Sequence, residues 1–434
     1  LFFRFGGGMY KKNSLKPWVL LVAVFLYQSS FGGVAKNVVF MIGDGMGMAH
    51  ITGARIYNGG SKSKLAMESF PVSGFSKTYC SDHYVTDSAA AATALASGVK
   101  TYKGAIGVGP DKKSKLETLV DLAKRQGKSV GFVTTTEVFA ATPAGFFAHT
   151  LSRENKSELV SQVPTSGVDL FLGGGAGHFS ESTLLAMEKK GWSILRNRQE
   201  LLKLKPTVRS KVLGIFAKKQ MHYEFERERD HLNEPTLQEM AEFAVSRLSK
   251  NKKGYFLMIE GGRIDVASHM NLAEAAFKEV IAFDRAIGSV LKKTSSKNTL
   301  VIVTADHETG GLAINGYNST ETTKGKTLLE GKSIKDGSSL ISWSSGPGGD
   351  GEGTDPKYWP KEPIPSDLKH PSNFKTVEAS HTAVDVVILA RGPHQERFQG
   401  FMENTEIPMK VAKAMGTQFQ SPVNARFRKE QDQK

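Results

Sequence analysis

The sequence predicts an α/β fold, a mostly parallel sheet sandwiched between helices. Short apolar runs recur at 37–42, 129–134, 254–259, 300–304 and 385–390, each the length of a buried strand. Between several of them lie stretches with apolar residues at helical spacing. Strands that alternate with helices build a parallel sheet covered on both faces. A composition of 39% hydrophobic and 23% charged residues over 434 positions excludes disorder and allows a large core.

Taken in order, the chain opens with Lys11 and Lys12, the apolar run 18–27 and the small or polar residues 28–33. That pattern is a secretory signal peptide, assigned to 1–34. Leu1 is an unusual first residue, and the upstream start stays open. The apolar run is short for a transmembrane span, so the expectation is an exported protein, periplasmic or extracellular, without a stable membrane anchor. Cys80 is the single cysteine, which rules out an intrachain disulfide, and a buried, inert thiol is its expected role. The net charge of +14 comes from scattered residues with no basic stripe, so no nucleic-acid partner is required.

The catalytic unit is expected over 35–423. Asn37-Val-Val-Phe-Met-Ile42 reads as a strand whose end, Gly43-Asp-Gly-Met-Gly47, leaves Asp44 at a tight turn. In Val85-Thr-Asp-Ser-Ala-Ala-Ala-Ala-Thr-Ala-Leu-Ala-Ser-Gly98, Ser88 reads as an N-cap, the alanines as a helix and Gly98 as its stop. A hydroxyl there faces free N–H groups suited to an oxyanion, although a cap is the commoner role for such a serine. A helix over 115–126, strands at 129–134 and 167–172, and a Thr236/Glu239 capping box opening a helix to Leu248 follow. Next come the strand 254–259, a helix of roughly 271–291 and the strand 300–304. Regularity lapses over about 315–375, an irregular insert, and returns at 385–390. Residues 424–434 read as a polar, frayed tail.

Ligands of open α/β sheets bind at the carboxyl ends of strands. Standing there are Asp44, Glu260 and the pair Asp306-His307, with Asp265 and His269 four apart just after Glu260. On a helix that spacing puts both on one face, able to grip one metal. Mixed carboxylate and imidazole suit zinc, whereas carboxylates with a hydroxyl suit magnesium. A metal beside Ser88 would make it a nucleophile.

Six motifs in order give the chain a specific resemblance to the alkaline phosphatase family. They are Ile-Gly-Asp44-Gly-Met-Gly, Thr-Asp87-Ser88-Ala, Ala-Thr142-Pro-Ala, Glu260-Gly with Asp265 and His269, Thr-Ala-Asp306-His307-Glu and Ser380-His381-Thr. The resemblance runs from Val38 to about Ala390. It implies hydrolysis of small phosphate monoesters through a phosphoserine at a two-zinc, one-magnesium site, with activity rising towards alkaline pH. It implies Ser88 as nucleophile and Arg153 as the phosphate clamp. Asp265, His269 and His381 would hold one zinc, and Asp44, Asp306 and His307 the other. Asp44, Thr142 and Glu260 would hold magnesium. The insert falls where some members carry a segment near a dimer interface, so a homodimer is compatible with it.

Three positions depart from common family patterns: Ala140 two before Thr142, Val266 directly after Asp265, and Thr309 two after His307. A sulfatase would need Pro and Arg after its nucleophile, and alanines follow Ser88. A phosphodiesterase could share the metals as a side activity. A non-catalytic binding protein would be expected to have lost the serine or a ligand, and none is lost. The histidines His50, His83, His149, His178 and His394 are read as structural or surface.

Overall fold

Strand β1, Asn37–Gly43, sends Val38, Phe40 and Ile42 into one apolar core and Val39 and Met41 into a second. A strand buried on both faces has no need of alternation, and its continuous apolar sequence follows from that. The computed structural model describes residues 33–206, 210–317, 323–347 and 372–433. The charged flank and apolar run assigned to a signal lie outside these residues.

The further strands in chain order are β2 (Val72–Lys77), β3 (Ser129–Glu137), β4 (Leu170–Gly174), β5 (Trp192–Leu195) and β6 (Lys211–Ile215). Then come β7 (Tyr255–Gly261), β8 (Thr299–Thr304), β9 (Glu308–Thr309), β10 (Ala313–Ile314) and β11 (Ile341–Gly346). The series ends with β12 (Ser372–Lys375), β13 (His381–Thr382), β14 (Val386–Arg391) and β15 (Gly400–Glu403). Ten of them form one sheet in the order β15-β2-β14-β8-β1-β7-β3-β4-β6-β5. Only β14 runs against its neighbours there, pairing antiparallel with both β8 and β2. The expected mostly parallel sheet between helices is what the chain forms.

Helices cover both faces. One core holds the fully buried rings of Phe132, Phe146, Phe171 and Phe256, each contributing on the order of 1.5–3 kcal/mol by leaving water. The other is closed by Leu237–Leu248 and Ala273–Lys293, whose apolar stripes pack on the opposite face. Thr236 caps the first of these, its hydroxyl accepting from Glu239 N at 3.0 Å while the Glu239 carboxylate accepts from Thr236 N at 3.0 Å. That is the capping box read from the sequence. Among the described residues no helix is long and apolar enough to cross a membrane.

The structure departs from the sequence reading at several elements, and the strand read at 167–172 runs Leu170–Gly174. The helix placed at 115–126 begins at Leu119, because Thr118 N donates to Asp121 Oδ2 and Leu116 N is drawn to Gly107 O. The stretch read as a frayed tail is the helix Pro422–Asp432, held by buried Phe427 and by Asn424 Nδ2, which donates to Ser97 O at 3.1 Å. The insert carries order, its β11 and β12 joining β10 just before it in a three-stranded sheet. Residues 318–322 and 348–371 of it lie outside the described residues.

Candidate active site

Strands β8, β1 and β7 are neighbours, and their register sets three carboxylates side by side. Ile42 pairs with both Thr304 and Glu260, so Asp44 and Asp306 project just past the same level as Glu260. All three are buried, as is His307. The turn after β1 requires Gly45, whose φ is +70°. A Cβ there would lie 2.7 Å from Thr309 Oγ1 and 2.8 Å from Asp265 Oδ1, so the backbone must pass this close to the site.

Ser88 reaches this cluster at the start of the helix Ser88–Ser97. It does not cap that helix, as its sequence context suggested. Asp87 is the cap, with extended backbone and its Oδ1 accepting from Ala90 N at 3.1 Å, which frees the Ser88 hydroxyl. Ser88 Oγ lies 3.2 Å from His307 Nε2 and 3.5 Å from Asp44 Oδ1. All ten residues of the helix are buried, and the alanines let a second helix, Ala141–Phe147, approach closely. A Cβ on Gly145 of that helix would stand only 2.7 Å from Ala92 Cβ. Gly98 adopts the left-handed conformation and stops the Ser88 helix as expected.

Asp265 and His269 share one face of the helix Arg263–His269, with His269 Nε2 3.2 Å from Asp265 Oδ2. The short antiparallel pairing of β13 with β9 brings His381 to them. Its Nε2 lies 3.1 Å from His269 Nε2 and 3.5 Å from Asp265 Oδ1. The His381 ring also stacks on that of His307 at 3.7 Å, so the two groups are contiguous. Each histidine is oriented through its other nitrogen. His269 Nδ1 bonds Ala379 O at 2.5 Å, His381 Nδ1 bonds Thr86 O at 2.9 Å, and His307 Nδ1 lies 3.3 Å from Thr309 Oγ1. These bonds leave Nε2 of all three turned into the site.

On the β7 side, Glu260 Oε2 accepts from the Thr134 and Thr136 hydroxyls. Glu260 Oε1, Thr142 Oγ1 and Asp306 Oδ2 are buried with their bonding capacity unfilled, Thr142 lying beside the Glu260 carboxylate and opposing the rise that burial gives its pKa. Leaving buried polar atoms unsatisfied costs roughly 1–3 kcal/mol each. Asp306 Oδ2 lies 3.3 Å from His307 Nε2, so an oxygen and an imidazole nitrogen face each other there. The donor atoms of Asp44, Asp306 and His307 lie within 4.8 Å of one another, as do those of Asp265, His307 and His381.

The electrostatics agree. Burial, together with the charges of Asp306, Asp265 and Glu260, pushes Asp44 well above the usual carboxylate range. Burial and Asp265 push Asp306 up to about 7, and burial raises Glu260. Burial opposes the charge of Asp265 as well, yet His269 and His381 pull it well below its ordinary value. Burial and the neighbouring His381 hold His307 well below the ordinary imidazole range. Carboxylates crowded this way ionise together only around a cation, and a neutral His307 is the form that ligates one.

The alkaline phosphatase family model matches residues 35–417. The chain belongs to the alkaline phosphatase family. Alkaline phosphatase 4 of Bacillus subtilis is 34% identical over 406 residues, covering 86% of this chain and 87% of that relative. The membrane-bound alkaline phosphatase of Bombyx mori is 31% identical, with 88% and 80% covered. Among solved structures, the alkaline phosphatase of the Antarctic bacterium TAB5 superposes with a TM-score of 0.69 at 28% identity, covering 89% of this chain and 99% of that one. A TAB5 variant carries magnesium in its M3 site. The Thermus thermophilus enzyme gives a TM-score of 0.73 at 25% identity, covering 98% and 100%. This alkaline phosphatase is accordingly a phosphomonoesterase.

Within the enzyme, the three departures from family pattern take different places. Thr309 sits in the site, its hydroxyl donating to Asp265 Oδ1 and lying beside His307 Nδ1. Val266 turns away and packs on a small apolar cluster with Tyr223, Met270 and Leu272. Ala140 precedes the Thr142 helix and lines a cavity of about 140 Å³ together with Glu137, Arg153 and Lys156. Arg153 lies in a turn rather than on a helix, tied through its N–H to Gly104 O at 2.8 Å, with its side chain about one-third exposed at 35%. Around the site stand groups whose contacts sequence reasoning passed over: Asp87, Thr134, Thr136 and the carbonyls of Thr86 and Ala379. His50 is structural as expected, buried with Nε2 2.9 Å from Ser268 Oγ.

Proposed function

We propose that this alkaline phosphatase works through a phosphoserine on Ser88 at a site for two zinc ions and one magnesium ion. The observation that carries the metal reading is the convergence of donor atoms within 4.8 Å in two adjoining groups, Asp44, Asp306 and His307, and Asp265, His307 and His381. Asp265, His269 and His381 would hold one zinc, and Asp44, Asp306 and His307 the other. Asp44, Thr142 and Glu260 offer only oxygen, the donor set magnesium takes. When bound, these ions supply Lewis acidity that favours the ionised Ser88 hydroxyl and neutralises phosphoryl charge.

The chain's own groups set the rest. Ser88 Oγ, freed from capping by Asp87, loses its proton and forms the bond to phosphorus as the phosphorus–ester oxygen bond breaks, and the departing oxygen takes up a proton to leave as the alcohol. Water then cleaves the Ser88 Oγ–phosphorus bond and releases inorganic phosphate. Arg153, paired to Asp87 at 3.1 Å and open to the solvent side, offers its planar fork of N–H groups to two phosphoryl oxygens. The positive end of the Ser88 helix adds to the same field.

The test is acid quenching with a labelled monoester. A stable label on wild type, absent from Ser88→Ala and from chelated protein, is expected. Turnover of p-nitrophenyl phosphate by Ser88→Ala at the wild-type rate would overturn the assignment. The Lys11–Lys12 flank and the apolar run after it support export to the periplasm or beyond the cell. Retention of the full N-terminus in the cytosolic fraction would count against that.

A further inference from the structure

We propose that Cys80, Asp82 and His83 form an additional zinc site, separate from the catalytic ligands. Their donor atoms, a sulfur, a carboxylate oxygen and an imidazole nitrogen, converge within 4.8 Å of one another. Cys80 Sγ lies 3.2 Å and His83 Nδ1 3.0 Å from the same Asp82 Oδ1. Zinc bonds of roughly 2.0–2.3 Å in tetrahedral array separate neighbouring donors by roughly 3.3–3.7 Å, so small side-chain rotations admit the ion. Thiolate with imidazole and carboxylate is a donor set that selects zinc over magnesium or calcium.

The surroundings suit an ion with an open fourth position. All three residues line a groove of about 1240 Å³ between this segment and the C-terminal helix. Cys80 is buried at the groove wall, while Asp82 and His83 present their side chains to it, 42% and 57% exposed. The nearby cation Lys100 is already engaged by Tyr79 O at 2.8 Å, Asn404 Oδ1 at 2.9 Å and Glu403 Oε2 at 3.3 Å, so it does not serve the cluster. None of the three residues takes part in the proposed phosphoryl transfer. Binding exchanges the Cys80 S–H bond for a sulfur–zinc bond and releases the thiol proton to solvent. The ion would fasten the segment that leads directly into Asp87 and Ser88.

Cysteine content makes the test specific. Cys80 is the only thiol in the chain, and the catalytic ligand set contains no sulfur. Cobalt(II) added to the metal-loaded enzyme is therefore expected to give a near-ultraviolet thiolate-to-cobalt band that saturates at one equivalent and is bleached by zinc. The band should be absent in Cys80→Ser, need at least about tenfold more cobalt in His83→Ala, and persist in Ser88→Ala. No such band in wild type would overturn the proposal, whether or not the variants fold. So would a band unchanged by His83→Ala and Asp82→Asn, which marks an adventitious thiol complex. Loss of monoesterase activity alone would bear on the catalytic reading and leave this site untouched.

Discussion

Arg153 Nη1 donates to Asp87 Oδ2 at 3.1 Å, while the other oxygen of Asp87 accepts from Ala90 N and Gly104 N, each at 3.1 Å. One carboxylate therefore caps the Ser88 helix and aims the guanidinium beside it. Because Arg153 is about one-third exposed, water screens the pair, and its value is about 1 kcal/mol or less. Asp87→Asn keeps a capping oxygen and removes the charge. Phosphate should then bind up to roughly fivefold more weakly, seen as a higher inhibition constant and KM with kcat falling less. An unchanged phosphate inhibition constant would mean that Asp87 does not orient the arginine.

Cap and nucleophile belong to adjacent residues, and two substitutions separate them. Ser88→Ala should lower kcat by about a thousandfold or more while leaving the unfolding temperature near wild type, since alanine suits the first helical position. Asp87→Ala should cost about 1 kcal/mol of stability through the lost cap. Thermal unfolding of the two, measured beside p-nitrophenyl phosphate turnover, decides it. A destabilised Ser88→Ala would return the capping role to serine.

Much of this site was legible because a parallel sheet collects strand ends. Asp44, Glu260 and Asp306 each follow an apolar run, and β8-β1-β7 adjacency makes them neighbours. The four-residue spacing of Asp265 and His269 carried the same information for a helix. The one-residue error at the cap has a physical origin: Asp and Ser are equally good caps, and only the extended backbone of Asp87 decides between them. The carbonyls of Thr86 and Ala379 that orient His381 and His269 leave no trace in residue identity. The C-terminal helix was missed because its anchors, Asn424 and Phe427, are too sparse to show a period. Thr309 was noticed only as a departure, and its bond to Asp265 needed the β9–β13 pairing to become visible.

Thr142 provides a test for the oxygen-only position. Its Oγ1 is buried beside the Glu260 carboxylate, so Thr142→Val removes an oxygen offered to the site and one contact to that glutamate. In chelator the variant should lose no more than about 1 kcal/mol, the net worth of one hydrogen bond. Added magnesium should raise the wild-type transition and leave that of Thr142→Val nearly unmoved. Scanning calorimetry with and without magnesium measures both. An equal magnesium increment in the two proteins would remove Thr142 from the site.

Glu279 gives a pH signature at a residue outside the proposed ligand set. Burial pushes its carboxyl up from 4.5 to about 7, against the opposing help of a hydrogen bond from Glu224 N and of the Arg263 charge. The folded protein thus holds this proton more tightly than the unfolded chain. Its contribution is complete below the ordinary carboxylate range and is lost as pH rises through about 7. Linkage sets the loss at roughly 3 kcal/mol across that window, a sizeable share of a typical folding free energy. Glu279→Gln keeps an oxygen for Glu224 N and has no proton to lose. Denaturant unfolding at about pH 5 and about pH 9 should therefore show wild type falling by more than the variant. Equal losses in the two proteins would show that Glu279 is not protonated in the fold.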